Sequence, residues 1–300
     1  MEIMHYAYSP GHENFAKDPA VVKFNGRYYL YYSIITAEKK LGIGIAESPD
    51  LVNWHYVKEL IIESDVHPHG YGAPGAIVQD GKVYLFYQTY GTGAADAICT
   101  AVSSDGLNFT IDPTSPVFHP PVCDWSCGRA IDADIVYFKG KYFLYAATRD
   151  PEFRIQKIVV ATSDGDFSRN GWTLAYDGSV MEPELPWEQE CIEAPATLVH
   201  NDKIYMFYGG AYNCKPQQIG CAVSPDGIHF TRISKEPVLP CGKSGEWNSS
   251  ESGHPYAFTD DDGQQYLFYQ GTNDAGKSWY LSVVKIEWDG DMPYFTSIYK

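Results

Sequence analysis

Short apolar runs rich in tyrosine recur along the chain, each following a two-residue turn, and the turn follows a phrase of fixed pattern. The first instance reads Asp18-Pro19-Ala20-Val21-Val22, a turn at Asn25-Gly26, then Tyr28-Tyr29-Leu30-Tyr31-Tyr32. It returns as Ala73-Pro74-Gly75-Ala76-Ile77 with Asp80-Gly81, and as Asp132-Ala133-Asp134-Ile135-Val136 with Lys139-Gly140. Two more copies start at Ala194-Pro195-Ala196 with Asn201-Asp202 and at His254-Pro255-Tyr256 with Asp262-Gly263. Asn-Gly and Asp-Gly between apolar runs mark β-hairpins, because the tight turn needs positive φ at its central residues. A third strand follows in each unit, such as Leu41–Ser48 or Gln218–Ser224, and most units close on a serine-rich turn leading to an aromatic residue.

The five anchors at 18, 73, 132, 194 and 254 are spaced as propeller blades are, at about four short strands per unit. No stretch has helical periodicity of useful length, and the 27 glycines and 19 prolines punctuate at strand spacing. The pattern predicts an all-β fold: one five-bladed β-propeller of four-stranded antiparallel blades over residues 1–300. In such a ring the first strand of each blade lines the channel. The anchors therefore converge on one funnel, bringing together Asp18, Asp132, His254 and Glu193, which directly precedes Ala194. Uncompensated charges near a core are costly, so acidic groups gathered there point to chemistry.

In the set Lys17-Asp18-Pro19, Ala130-Ile131-Asp132, Ile192-Glu193-Ala194-Pro195 and Gly253-His254, taken in blade order, the chain resembles glycoside hydrolase family 43. The resemblance implies a glycosidase of the arabinanase, α-L-arabinofuranosidase or β-xylosidase kind. It implies Asp18 as general base, Glu193 as general acid, and Asp132 as the aspartate that orients the acid. Hydrolysis of this kind needs one carboxyl protonated and another ionised, and like charges packed together push their pKa values apart. By the same resemblance, His254 sits near an axial calcium or sodium ion, and Lys277 occupies the blade-5 segment where relatives place a substrate-contacting arginine. No cofactor is required.

Strand period two places Asp134 on the same side as Asp132, one step deeper in the channel. Trp125 and Trp187 precede the strands carrying Asp132 and Glu193, which makes them candidates for stacking on a sugar ring, with Pro74 beside the blade-2 anchor. Arg149-Asp150-Pro151 and Glu190-Cys191 resemble motifs of the related β-fructosidases, yet both fall out of blade register. A phosphorylase-like propeller would need a basic cluster for phosphate, and none is evident near the anchors. A non-catalytic carbohydrate-binding propeller is the remaining alternative. The net charge of −16 argues against nucleic acid, and no apolar run is long enough to span a membrane. Seven cysteines with no secretory leader favour reduced thiols and a cytoplasmic protein. The expected activity is inverting, exo-acting cleavage of short pentose-containing oligosaccharides, with an oligosaccharide as the partner.

Overall fold

The computed structural model describes residues 4–299. Both central turn residues take positive φ at Asn25-Gly26 (51° and 76°), Asp80-Gly81 (50° and 68°), Lys139-Gly140 (47° and 86°) and Asn201-Asp202 (48° and 56°). These turns join Lys17–Phe24 to Arg27–Ile35, Tyr71–Gln79 to Lys82–Thr89, Ile131–Phe138 to Lys141–Arg149, and Ile192–His200 to Lys203–Gly210. The fifth hairpin pairs Glu251–Thr259 with Gln265–Thr272. Each grows by two further antiparallel strands into a four-stranded sheet. The five first strands pack side by side in a closed ring, the fifth against the first. This is a five-bladed β-propeller. Helical structure among the described residues is confined to three short 3₁₀ turns.

The segment before the first blade completes the ring by docking on the fifth. Tyr6 exchanges backbone hydrogen bonds with Leu281, and Trp279 donates to Asn14 while Ala16 donates to Trp279. Docking also covers backbone groups that an open sheet would expose.

Between blades the core is aromatic, with Tyr31, Tyr87, Tyr145 and Phe207 fully buried. Two of the hydroxyls reach the serine-rich turns of the next blade: Tyr31 donates to the Gly106 carbonyl at 2.9 Å and Tyr145 to that of Gly227 at 2.7 Å. The turns are rigid because Asp105 and Asp226 each accept two backbone N–H groups. Gly227 sits at φ +81°, and an added Cβ would lie 2.6 Å from the Phe143 ring. Gly227→Ala is therefore expected to cost about 1–3 kcal/mol, read as a lower thermal midpoint; an unchanged midpoint would remove this account of the turn.

One irregularity repeats in every blade. Pairing of the first strand slips between Lys17 and Ala20, Gly72 and Gly75, Ile131 and Asp134, Glu193 and Ala196, and Gly253 and Tyr256. At each bulge one non-glycine residue has positive φ: Asp18 at 52°, Ala73 at 45°, Asp132 at 54°, Ala194 at 50° and His254 at 42°. These are the five anchors. A bulge re-aims side chains and disrupts the alternation of a regular strand. Two consecutive residues thereby face one cavity, as Lys17 with Asp18 and Ile131 with Asp132 do.

Below the bulges the channel holds a second cavity of about 460 Å³, lined by Val22, Ala76, Val136, Thr197 and Tyr256 of the five first strands. Tyr256 reaches across it to donate to the Ala76 carbonyl at 2.9 Å. Asp134 does not share the cavity of Asp132, contrary to the period-two expectation, because the bulge lies between them. Its carboxylate accepts the backbone N–H of Thr197 at 2.7 Å and the Thr197 hydroxyl, tying blade 3 to blade 4.

Candidate active site

Above the bulges lies a pocket of about 540 Å³ at the axis, and Asp18, Asp132, Glu193 and His254 all line it. All four side chains are buried. Two nitrogen groups face Asp18: His254 Nδ1 is 3.2 Å from its Oδ1 and Lys17 Nζ is 4.0 Å from the same oxygen. Burial alone would raise the Asp18 pKa, but His254 and Lys17 outweigh it and hold the carboxyl below its ordinary value. Asp132 goes the other way. Burial, reinforced by the negative charges of Glu193 and Asp18, pushes it up to about 7 against the pull of His254. One site thus holds an ionised carboxylate and a carboxyl that keeps its proton toward neutral pH.

Glu193 is gripped by two glutamine amides. Gln217 Nε2 donates to its Oε1 at 2.6 Å, and Gln156 Nε2 donates to its Oε2. Neighbours fix the orientation of both amides. Gln156 Oε1 accepts from Arg149 Nε at 2.8 Å, and Gln217 Oε1 accepts the backbone N–H of His254 at 3.0 Å.

That last bond belongs to a set of stitches around the ring. The Asp18 backbone N–H donates to Gln270 Oε1 of blade 5 at 3.1 Å, that of Ala73 to Ser33 Oγ of blade 1 at 2.8 Å, and that of Asp132 to Gln88 Oε1 of blade 2 at 2.9 Å. Four of the five strained anchors, Asp18, Ala73, Asp132 and His254, are thus held by a polar side chain from the preceding blade. Gln270 also donates to Glu251, a buried carboxyl that burial raises to about 7. Sequence reasoning passed over these glutamines. The available signal was a polar residue directly after the aromatic pair of the second strand, in Tyr32-Ser33, Tyr87-Gln88 and Tyr269-Gln270.

Four expected contacts lie outside the pocket. Trp125 donates its indole N–H to Asp177 at 3.1 Å and packs on the blade-3 core. Trp187 donates to the Lys235 carbonyl and stacks on Tyr208, against glycines 210 and 220. Pro74 is buried in its strand, where Ala73 lines the pocket instead. Lys277 is exposed on a turn capped by Asp274. The tryptophan at the pocket is Trp279, placed there by the N-terminal segment docking on blade 5, with Lys17 Nζ 4.5 Å from its ring centroid. A basic group does gather at the pocket: Arg129 before the blade-3 strand, Arg149 at the end of its hairpin, and Lys39 from a blade-1 loop. They are far apart in sequence, so no local run announced them.

His254 turns a ring nitrogen to Asp18, and no group of three or more His, Cys, Asp or Glu side chains placed for a metal ion occurs among the described residues. These residues do not by themselves form a cation cage, and no chemical step is derived through an ion.

Fold and site define a five-bladed propeller with a carboxylate-walled pocket at one end of its axis. The chain belongs to glycosyl hydrolases family 43, which matches residues 8–292. It is 24% identical over 205 residues to a 1,2-beta-oligomannan phosphorylase of Thermoanaerobacter sp. (strain X514), covering 65% of this chain and 64% of the relative. It is 29% identical over 146 residues to a probable arabinan endo-1,5-alpha-L-arabinosidase B of Aspergillus fumigatus (strain CBS 144.89 / FGSC A1163 / CEA10), covering 46% of this chain and 37% of the relative. The chain therefore spans less than two thirds of either relative's length. Among solved structures, a thermostable family-43 glycoside hydrolase superposes with a TM-score of 0.79 at 23% identity, over 97% of this chain and 96% of the other. An α-L-arabinofuranosidase from Lactobacillus brevis gives 0.73 at 18% identity, over 94% of each chain.

Proposed function

We propose that this protein is an inverting, exo-acting glycosidase of short oligosaccharides with a terminal pentose, α-L-arabinofuranoside or β-D-xyloside. The observation that carries the reading is the meeting of three buried carboxyl groups, Asp18, Asp132 and Glu193, in one pocket, with His254 and Lys17 beside Asp18. In this mechanism Asp18, ionised beside His254 and Lys17, takes a proton from water as the water attacks the anomeric carbon. Glu193 in its protonated form donates to the leaving oxygen, and the amides of Gln156 and Gln217 stabilise the negative charge left on it. Asp132, held by its bulge and by Gln88, keeps the acid in place. Family membership supports the reaction class. The pentose rests on the resemblance of blade motifs, on one relative named for arabinan and on a structural neighbour named as an α-L-arabinofuranosidase.

A panel of nitrophenyl glycosides with proton NMR of the first-formed sugar tests this reading. The expected result is turnover of α-L-arabinofuranoside or β-D-xyloside, with the released sugar appearing in the anomeric configuration opposite to the substrate. Retention of configuration would overturn inversion. Inertness toward the whole panel, with sugar binding kept, would favour a binding propeller.

A further inference from the structure

From the cationic wall of the pocket we infer that the leaving-group part of the substrate carries an anionic oxygen group, a uronate carboxylate or a sugar phosphate, received by Arg149. This inference rests on the glycosidase reading for the meaning of "leaving group", and on geometry for the rest.

Arg149 ends the second strand of blade 3, and its guanidinium is clamped between two rings, 4.4 Å from the Phe153 centroid and 5.1 Å from that of Tyr212. Stacking of this kind pre-organises a planar cation without neutralising it. The adjacent Asp150 is not its counter-ion, because its carboxylate accepts the backbone N–H groups of Arg154 and Ile155. Among the described residues, the sole hydrogen-bond acceptor of Arg149 is Gln156, met by Nε. Both terminal amino groups are left for a ligand, in the edge geometry that suits a carboxylate or phosphate.

Arg129 stands beside it. One amino group reaches the same Gln156 oxygen at 3.4 Å, the other lies 3.6 Å from Asp96, and its buried Nε has no partner. The two guanidinium groups thus share one amide acceptor. Asp96 lies near one charge; among the described residues no carboxylate is within ion-pair distance of the other, in a chain of net charge −16.

The side of the pocket follows from Gln156. This one side chain touches both Arg149 and Glu193. Glu193 is the residue that protonates the departing oxygen, whereas Asp18, with His254 and Lys17, handles the attacking water. An anion on Arg149 therefore belongs to the departing sugar and not to the attacking group.

The test is equilibrium binding by ligand-observed NMR at fixed ionic strength, with D-glucuronate, D-glucose 6-phosphate and neutral D-glucose as probes. The wild type is expected to bind at least one of the two anions about tenfold or more tightly than glucose; which one it prefers separates a uronate from a phosphate source. Arg149→Met should abolish the preference, and Arg149→Lys should keep part of it. Circular dichroism spectra matching the wild type would show that both variants are folded. Equal binding of all three probes, or a preference that survives Arg149→Met, overturns the assignment. So does a sugar 1-phosphate formed when a turned-over glycoside is incubated with inorganic phosphate, because the anion would then enter on the attacking side. Binding needs no turnover, so a wild type inert on every glycoside that still prefers an anion refutes the glycosidase reading alone.

Discussion

Glu193→Gln is expected to lower kcat by about 10³-fold on glycosides with sugar or alkyl leaving groups, within the range general acid–base catalysis supplies. The loss should shrink steeply with 2,4-dinitrophenyl glycosides. A dinitrophenolate departs without a proton, so the missing acid costs little there. Asp18→Asn removes the group that activates water, a step common to every leaving group, and its loss should be of similar size across the series. The contrast separates chemistry from packing. Both side chains are buried, and both replacements are nearly isosteric. A merely structural defect would depress all substrates alike in both variants. If the two variants show the same leaving-group dependence, the roles assigned to Asp18 and Glu193 are wrong.

The sequence pattern revealed the ring of blades because each blade repeats a full hairpin, with turn residues whose φ preference is chemical and local. The anchors were visible for the same reason. Their strain was not: nothing in Asp18-Pro19-Ala20 announces a bulge, which depends on the neighbouring blade supplying Gln270 to the Asp18 N–H. That dependence is why period-two counting misplaced Asp134. The tryptophans were misjudged by a related error. Proximity in sequence to Asp132 and Glu193 favoured Trp125 and Trp187, but Trp125 is held by Asp177 and Trp187 by the Lys235 carbonyl and Tyr208, away from the pocket. Trp279 reaches the axis because a segment from the other end of the chain pairs with it. The cations of the pocket escaped notice likewise, since Lys39, Arg129 and Arg149 meet only once the blades close.

Asp132→Asn is expected to depress turnover and at the same time stabilise the fold at alkaline pH. In the wild type the Asp132 pKa is raised from 3.8 to about 7 by burial and by the charges of Glu193 and Asp18. A carboxyl raised in the folded state binds more protons there than in the unfolded chain between these two values. Stability must then fall as pH rises through that window, and the penalty is complete above about pH 7. For Asp132 alone it is on the order of 4 kcal/mol. Asparagine has no proton to lose, so the advantage of the variant in thermal midpoint should be small at pH 5 and grow to several degrees more at pH 8. Asp134, raised to about 6, and Glu251, raised to about 7, titrate in the same direction but stay in both proteins, so they cancel in the comparison. Asp18 has the opposite sign. Its lowered pKa gives stability that is present above the ordinary carboxylate range and lost as pH falls through its folded value. The same charges set the acid side of the activity profile, where turnover falls as ionised Asp18 takes up a proton. A difference in midpoint that does not change between pH 5 and 8 would mean that Asp132 is ionised throughout. The division of labour between an ionised and a protonated carboxyl in this pocket would then have to be abandoned.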